Sequence, residues 1–259
     1  MSDRRVDYDR IAPAYDERFQ ASQLDPVGAA MAELARQIEA GQVLKVGCGT
    51  GRWLDELGAE SRHLIGLDLS SGMLAEARRR CSDLCLVQGR GGRLPFRSQT
   101  FDLATCVNAL HHFGDPRAFV REARRVLKPS GVLVVVGSNP HDQQGAWYVY
   151  DFFHGTLEVD LERFPSWGTT LDWMVGEGFE RVEWRLVQRV VDHKIGREVL
   201  DDHFLGKNAC SQLALLNDQA YEAGLRRIES AVEEAEALDQ TVVFRVDIRI
   251  GALIGRSSG

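Results

Sequence analysis

The sequence predicts an α/β protein with a Rossmann-like, doubly wound sheet of seven mostly parallel strands and with helical insertions that form a lid. Over residues 42–137, short apolar or β-branched runs alternate with helical patterns, which is typical of a parallel sheet covered by helices on both faces. Two more apolar runs follow residue 177 and complete the seven strands. The segments before and between these two runs are aromatic-rich or helical in pattern, and they account for the insertions.

Each predicted element has a local justification. Strands are expected, in order, at "QVLKVG", "HLIGLD", "LCLVQG", "FDLATCV" and "GVLVVVG". Helices are expected between them at "GRWLDELGAE", "SGMLAEARRRC" and "DPRAFVREARRVLK", where apolar residues recur every three or four positions. Ser71 and Asp115 stand where N-caps are expected, and "KPSG" at 128–131 ends the third helix. "FERVEWRLV" and "TVVFRVDIRIGALI" supply the last two strands.

The predicted organisation has three parts. Residues 1–40 form an N-terminal helical cap, in which Pro13 interrupts the first helix. The core comprises residues 41–137, 178–189 and 241–256, and the lid comprises residues 138–177 and 190–240. Both lid segments follow a predicted strand. In an open α/β sheet the ligand crevice lies outside the carboxyl ends of the strands, so segments inserted there are well placed to roof it.

The first lid segment is unusually rich in aromatic residues, with "AWYVYDFF" and "RFPSW" close together. We expect Trp147, Tyr148, Tyr150 and Phe153 to supply the apolar wall of a substrate pocket. The alternative is that these side chains pack within the helical layer, and for any one of them that interpretation is the stronger.

Composition excludes several classes of function. The chain has 259 residues with 44% hydrophobic content, no apolar run of membrane-spanning length and no secretory signal pattern, so we expect a cytoplasmic protein. The net charge is −7, and the arginine-dense runs "EARRR" and "REARR" carry acids, so nucleic acid is not the expected partner. Five cysteines without CxxC spacing predict reduced thiols, with neither a disulfide framework nor a metal site.

The stretch "VLKVGCGTG" indicates a loop that a ligand approaches closely. Its glycines, Gly47, Gly49 and Gly51, lie in G-x-G-x-G register. A dinucleotide-binding loop would need G-x-G-x-x-G, and Arg52 or Leu54 occupies the place of the third glycine. Asp68 follows Gly49 by nineteen residues, at the end of the second predicted strand, where a carboxylate can accept both hydroxyls of a ribose. The pattern therefore predicts a nucleoside ligand that lacks a pyrophosphate.

These motifs together resemble the class I S-adenosylmethionine-dependent methyltransferases, notably the small-molecule branch that includes quinone-biosynthesis methyltransferases. The similarity rests on five pieces in the family's order and spacing: "YDRIAPAYDERF", "VLKVGCGTG", "GLDLSSGMLAEAR", "LPFRSQTFDLATCVNALHHF" and "EARRVLKPSGVLVVV". By matching position, the resemblance implies roles for individual residues in binding S-adenosylmethionine. Gly47, Gly49 and Gly51 would border its methionine and ribose portion, and Asp68 would bind the ribose. Leu69 and Met73 would flank the adenine. Tyr8 and Tyr15 would close over the methionine end, and Asn108 would lie near the sulfonium.

The chain departs from the family at two positions that the resemblance associates with the cofactor. Lys45 stands where the family usually has an acid that holds the cofactor's amino group, and Arg90 stands where an aspartate usually recognises the adenine. Lys45 could bind the methionine carboxylate or a neighbouring carboxylate such as Asp102. Arg90 could stack on the adenine or extend into solvent.

The expected function is methyl transfer to a small-molecule acceptor by in-line displacement, which requires alignment of the reactants in a dry pocket. A histidine near neutrality would serve as a base, and "ALHHF" offers His111 and His112. Neighbouring residues on a helical turn point in different directions, so we expect His111 alone to face the acceptor. The alternative function is a methyltransferase-fold protein with altered or lost cofactor use that binds a ligand or performs non-methylating chemistry.

Overall fold

A computed structural model describes residues 6–16, 26–60, 63–142 and 145–258. Within these residues the sheet has eight strands: β1 (Gln42–Val46), β2 (His63–Asp68), β3 (Cys85–Gln88), β4 (Phe101–Val107), β5 (Leu127–Ser138), β6 (Ala146–Trp147), β7 (Phe179–Ile195) and β8 (Val243–Ser257). The helices of the same residues are α1 (Tyr8–Ile11), α2 (Pro26–Gln37), α3 (Leu54–Glu60), α4 (Ser71–Arg80), α5 (Pro116–Val126), α6 (Tyr148–Phe152), α7 (Thr156–Arg163), α8 (Trp167–Gly176), α9 (Ser211–Ala214) and α10 (Asp218–Ala237).

The predicted fold class is confirmed. Strands β1 to β5 are mutually parallel in the order β3-β2-β1-β4-β5, and β8 adds antiparallel to β5 with β7 on its other side. The described residues give eight strands where seven were predicted, because the two-residue strand β6 pairs with β8 at Asp247 and Val246. That pairing is too short to leave a periodic signal in the sequence.

Helices cover both faces of the sheet. Side chains of α2 and α3 pack with one set of alternating strand residues, among them Val43 and Leu103. Helices α5 and α8 pack on the opposite face with Leu44 and Ala104. Both faces of the central strands are therefore buried, which explains why "GVLVVVG" in β5 is apolar without alternation.

Helix starts agree with the sequence at one position and correct it at another. Asp115 caps α5 as predicted, because its side chain accepts a hydrogen bond from the Ala118 amide at 2.9 Å. For α4 the N-cap is Ser70, whose hydroxyl accepts from the Met73 amide at 3.0 Å, and the predicted cap Ser71 is the first helical residue. Both serines precede the same apolar pattern, so periodicity alone does not separate them.

Strands β7 and β8 extend beyond β5 as a ribbon, to which β6 adds at Asp247 and Val246 of β8. Pairing of β8 with β5 ends at Ser138, whereas pairing with β7 continues to Ile195 opposite Val243. The strand predicted at "FERVEWRLV" ends at residue 187, whereas β7 continues to Ile195. The ribbon carries a helical subdomain, defined here as residues 145–164 and 196–242, whose core cluster includes Phe244 of β8.

The helical subdomain is smaller than the predicted lid. Helix α8 lies within the predicted segment 138–177, yet its Met174 is completely buried in the same cluster as α5 and β5. It is thus a layer helix of the core that precedes β7. The predicted N-terminal cap is described only at residues 6–16 and 26–40, and the remainder of that prediction lies outside the described residues.

The close approach of α10 to α6 gives a test of the subdomain core. A Cβ at Gly224 in α10 would lie 2.2 Å from the Phe153 ring. We therefore expect Gly224→Ala to lower the free energy of unfolding by about 1–3 kcal/mol, as overpacked core sites do. Gly58→Ala in α3 is the control, because a Cβ there would meet Leu64 at 3.7 Å, an ordinary contact.

The control variant should gain about 0.5–1 kcal/mol, the usual benefit of replacing a helical glycine by alanine. Urea denaturation of both variants measures the difference. A Gly224→Ala protein as stable as wild type would contradict the packing described for α10.

Candidate active site

Four loops meet at one edge of the sheet. The parallel strands β1, β2, β4 and β5 all end there, so the residues that follow them lie close together. This edge brings together the glycine loop after β1, Asp68 at the end of β2, and Asn108 after β4. The backbone conformation of the glycine loop is the most constrained of the three.

The glycine loop depends on left-handed backbone at all three glycines, with φ of 65° at Gly47, 56° at Gly49 and 81° at Gly51. A Cβ at Gly47 would lie 2.5 Å from the Ala109 side chain, so that position has no room for another residue. At Gly49, by contrast, a Cβ would meet nothing within 4 Å. The backbone at Gly49 is therefore open to the approach of a ligand.

Asp68 links the glycine loop to the next strand. One carboxylate oxygen accepts from the Gly49 amide at 2.8 Å and the other accepts from the Ser70 amide at 3.0 Å. Burial raises the pKa of Asp68, while these amides and the charge of Lys45 act against that rise. Each oxygen has a second lone pair, so the carboxylate can still accept hydroxyl hydrogen bonds.

Lys45 lies beneath the glycine loop and is only 1% exposed. Its Nζ donates to the carbonyl of Gly47 at 3.2 Å and lies 5.6 Å from the centre of the Trp53 ring. Burial lowers the pKa of Lys45, and the nearby thiols and Asp68 oppose that shift. The alternative of a Lys45–Asp102 pair is wrong.

Asp102 serves a different cation. It accepts from the amides of Gly41 and Gln42 and pairs with Lys128 at 2.7 Å. The two amides lie at the start of β1, which is the opposite end of the strand from the glycine loop, and Lys128 lies at the start of β5.

The N-terminal segment 6–16 lies across the glycine loop and α4. Asp9 accepts from the Ser70 hydroxyl at 2.8 Å and the Gly72 amide at 2.7 Å, and Asp16 accepts from the Thr50 hydroxyl at 2.7 Å. The Gly72 amide and the serine hydroxyls lower the pKa of Asp9. The segment is thus fastened to the residues that follow β1 and β2.

Two tyrosines belong to that segment. The Tyr8 hydroxyl and His112 Nε2 form a hydrogen bond of 2.6 Å, and the ring of Tyr15 lies edge-on to Tyr8 with centroids 6.0 Å apart. Both tyrosines pack against Met73, which is 2% exposed beneath Ile11. Tyr15 and Met73 are therefore brought together in one cluster.

The two other residues predicted near the adenine are on the surface. Leu69 is 56% exposed, and its carbonyl accepts from the Gln88 side chain at 3.1 Å. Arg90 is exposed, and its carbonyl accepts from the Arg93 amide. Their roles toward a ligand stay predictions.

The loop after β4 holds Asn108 and the histidine pair. Asn108 has a φ of 48°, and its amide donates to the Val136 carbonyl of β5 at 2.9 Å. The rings of His111 and His112 lie against each other with centroids 3.9 Å apart and planes inclined by 51°. Burial, together with the charges of His112 and Arg163, lowers the pKa of His111 well below the usual histidine range.

The aromatic residues expected to form a pocket wall occupy the helical subdomain. Tyr148 and Phe153 are 1% and 0% exposed, so they lie in its core rather than on a pocket wall. The Tyr148 hydroxyl donates to Asp202 at 2.8 Å, and the Tyr150 hydroxyl donates to Asp160 at 2.7 Å. Trp147 packs edge-on against Tyr150 at the margin of the same cluster.

Sequence reasoning missed Phe164 and His141. The Phe164 ring stacks on His111 with centroids 3.7 Å apart, and the Phe164 carbonyl accepts from His141 Nε2 at 2.8 Å. The aromatic run "RFPSW" was a signal for Phe164, because Pro165 directly after it ends α7 and aims that residue away from the helix. His141 carries no such signal.

Comparison with known proteins finds a family match for the segment that holds the glycine loop, Asp68 and the histidine pair. Residues 44–135 match a protein family described as a methyltransferase domain. By this similarity we call residues 44–135 the methyltransferase domain. It ends within β5, so the family match includes neither the helical subdomain nor β7 and β8.

Two relatives are similar to this chain over part of their length. The demethylmenaquinone methyltransferase of Corynebacterium kroppenstedtii is 43% identical over 94 residues, which are 36% of this chain and 40% of that protein. The demethylmenaquinone methyltransferase of Thermotoga maritima is 34% identical over 152 residues, 56% of this chain and 66% of that protein. The chain therefore matches less than two thirds of the length of either relative.

A solved structure has a fold similar to that of nearly the whole chain. Phosphoethanolamine N-methyltransferase 2 of Haemonchus contortus, in complex with S-adenosyl-L-methionine, superposes with a TM-score of 0.62 at 15% identity. The match covers 97% of this chain and 57% of that one. Among the described residues of the present chain, no helix is both long and apolar enough to cross a bilayer.

Lys45 offers a test of how the methyltransferase domain supports its glycine loop. Lys45→Asp places a carboxylate against the Gly47 carbonyl and near Asp68, so we expect a loss of about 3–5 kcal/mol in the free energy of unfolding. Lys45→Met is the control, because it keeps an unbranched apolar stem without a charge, and it should change that free energy by less than about 1.5 kcal/mol. Thermal and urea unfolding measure both, and equal stability of the two variants would contradict the location of Nζ.

Proposed function

We propose that the chain transfers a methyl group from S-adenosylmethionine to a small-molecule acceptor. The observation that carries the proposal is the arrangement at Gly49 and Asp68, which places an open backbone beside a half-buried carboxylate at the ends of adjacent strands. Such a pair suits the ribose of a nucleoside. The match of residues 44–135 to a methyltransferase domain supports methyl transfer as the chemistry.

The residues at the strand ends fit most of S-adenosylmethionine. Gly47, Gly49 and Gly51 border the space for its methionine and ribose portions, and Asp68 accepts the ribose hydroxyls. Lys45 lies below the same loop, and its cation suits the carboxylate of the methionine end better than its ammonium. Bound S-adenosylmethionine supplies the electrophilic methyl group.

Further residues complete the proposed cofactor contacts. Leu69 and Met73 would flank the adenine, and the exposed Arg90 would stack on it. Tyr15, which packs with Tyr8, would close over the methionine end. Asn108, after β4, would lie near the sulfonium.

His111 is the proposed base. Burial lowers the pKa of its imidazole, and in this proposal a ring nitrogen accepts a proton from a hydroxyl or an acidic carbon of the acceptor. Trp147 and Tyr150, at the margin of the helical subdomain, are the aromatic residues best placed to border the acceptor. The predictions of a cytoplasmic location and of no nucleic-acid partner stay predictions.

A second candidate function has one observation in its favour. A buried cation at Lys45, where methyltransferases of this type usually carry an acid, fits a chain that binds a nucleoside-like ligand without methyl transfer. The two candidates differ in whether S-adenosylmethionine binds. Calorimetric titration of the whole chain with S-adenosylmethionine and S-adenosylhomocysteine separates them directly.

We expect both compounds to bind the wild-type chain, and Asp68→Asn to weaken S-adenosylhomocysteine roughly 10- to 100-fold, because the ribose hydroxyls lose a charged acceptor. Asp115→Ala is the matched control, since Asp115 also accepts a backbone amide but caps α5. It should bind like wild type. Unchanged affinity in Asp68→Asn would remove Asp68 from the site, and no binding to wild type would favour the second candidate.

A further inference from the structure

The side chain of Phe164, in the helical subdomain, contacts the loop that carries His111. The two rings are nearly parallel, with centroids 3.7 Å apart and planes inclined by 14°. His112 lies against His111 with centroids 3.9 Å apart and planes inclined by 51°. Phe164 itself is 8% exposed. The imidazole of His111 is thus held between a residue of its own loop and a residue of the subdomain.

Phe164 is anchored by its backbone on both sides. Its amide donates to the Asp160 carbonyl at 2.9 Å, which closes the last turn of α7. Its carbonyl accepts from His141 Nε2 at 2.8 Å, so that nitrogen carries a proton. His141 follows β5, and the contact joins the end of α7 to the sheet edge. The ring of Phe164 therefore has little freedom to leave His111.

A buried polar network fixes the helix behind Phe164. The carboxylate of Asp160 accepts from the Tyr150 hydroxyl at 2.7 Å, from Arg163 Nε at 2.8 Å and from Gln212 Nε2 at 2.5 Å. Arg163 also donates to the Ser211 hydroxyl at 2.6 Å. Asp160 is completely buried, and a network with this many satisfied partners is rigid.

We infer that Phe164 is a positioning residue for His111, through which the helical subdomain takes part in the methyl transfer proposed above. A stacked ring fixes the plane of the imidazole and excludes water from one of its faces. The acceptor then meets a base whose nitrogens point in a fixed direction, which is the geometric requirement for proton transfer. The helical subdomain therefore helps to orient the base His111, in addition to any shielding of the acceptor from solvent.

The electrostatic surroundings agree with this role. Burial is the main reason that the pKa of His111 is low, and Phe164 supplies one of the covering surfaces. The charged and titratable groups next to the stack are His112 on the same loop and Arg163 of α7. One contact further away, His141 is bonded to the Phe164 carbonyl and Tyr8 is bonded to His112. Arg163 lies 5.1 Å from the Phe164 ring and is paired with Asp160.

The test is the titration of His111 by nuclear magnetic resonance in the whole chain with labelled histidine, the signal being assigned with His111→Gln. In Phe164→Ala, water reaches the exposed face, so we expect the pKa of His111 to rise toward the ordinary histidine range. Phe164→Leu keeps apolar volume but no stacked ring and should give an intermediate rise. Phe164→Tyr restores the ring and should return the titration to that of wild type.

Phe152→Ala is the matched control, because Phe152 is another aromatic of the subdomain and packs against Phe244 instead. It should leave the His111 titration unchanged. Chemical modification of histidines with diethyl pyrocarbonate gives an independent readout. His111 should react several-fold faster in Phe164→Ala than in wild type, whereas the exposed His154 and His203 should react equally in both.

The inference is overturned if His111 titrates alike in wild type and in a folded Phe164→Ala, or if Phe152→Ala shifts it as much. Should Phe164→Ala fail to fold, the contrast between Phe164→Leu and Phe164→Tyr decides in the same way, and equal titration in those two overturns the inference. Neither measurement requires S-adenosylmethionine. Failure of the proposed function would appear separately, as absence of cofactor binding in calorimetry.

Discussion

The carboxylate of Asp68 is the contact on which the arrangement of the candidate site depends. It ties the Gly49 amide after β1 to the Ser70 amide after β2, and so fixes the distance between two loops of the sheet edge. Ser70 in turn caps α4 and donates to Asp9. One continuous hydrogen-bonded path thus runs from the glycine loop to the N-terminal segment. The carboxylate is costly to bury, and its amide partners are what make its burial tolerable.

Lys45 shows how this arrangement accommodates a reversed charge. A buried ammonium needs acceptors, and the left-handed turn at Gly47 presents a carbonyl to it at 3.2 Å. Asp68 is close enough to act on its pKa, so the loop is held between a cation below and an anion at its side. The left-handed glycine loop therefore lies between two opposite charges, and Asp68 is held chiefly by the amides of Gly49 and Ser70 rather than by Lys45.

The sequence predicts the sheet better than it predicts what surrounds the site. Strands β1 to β5 were foreseen because they are apolar runs at regular spacing, which in β1, β4 and β5 reflects burial on both faces. Gly49 and Asp68 followed from the ends of those runs. The stack of Phe164 on His111 was not foreseen, because it joins residues 53 positions apart through tertiary packing alone. Tyr148 looked like pocket wall for a related reason: aromatic content does not tell a core from a cavity.

The central claim is that the Gly49–Asp68 arrangement binds the nucleoside of a methyl donor. A crystal structure of the chain with S-adenosylhomocysteine tests this most directly. The account predicts the ribose hydroxyls within hydrogen-bond distance of the Asp68 carboxylate and the homocysteine end over the glycine loop, with Gly49 still bound to Asp68. A ligand elsewhere on the molecule, or a ribose turned away from Asp68, would contradict it.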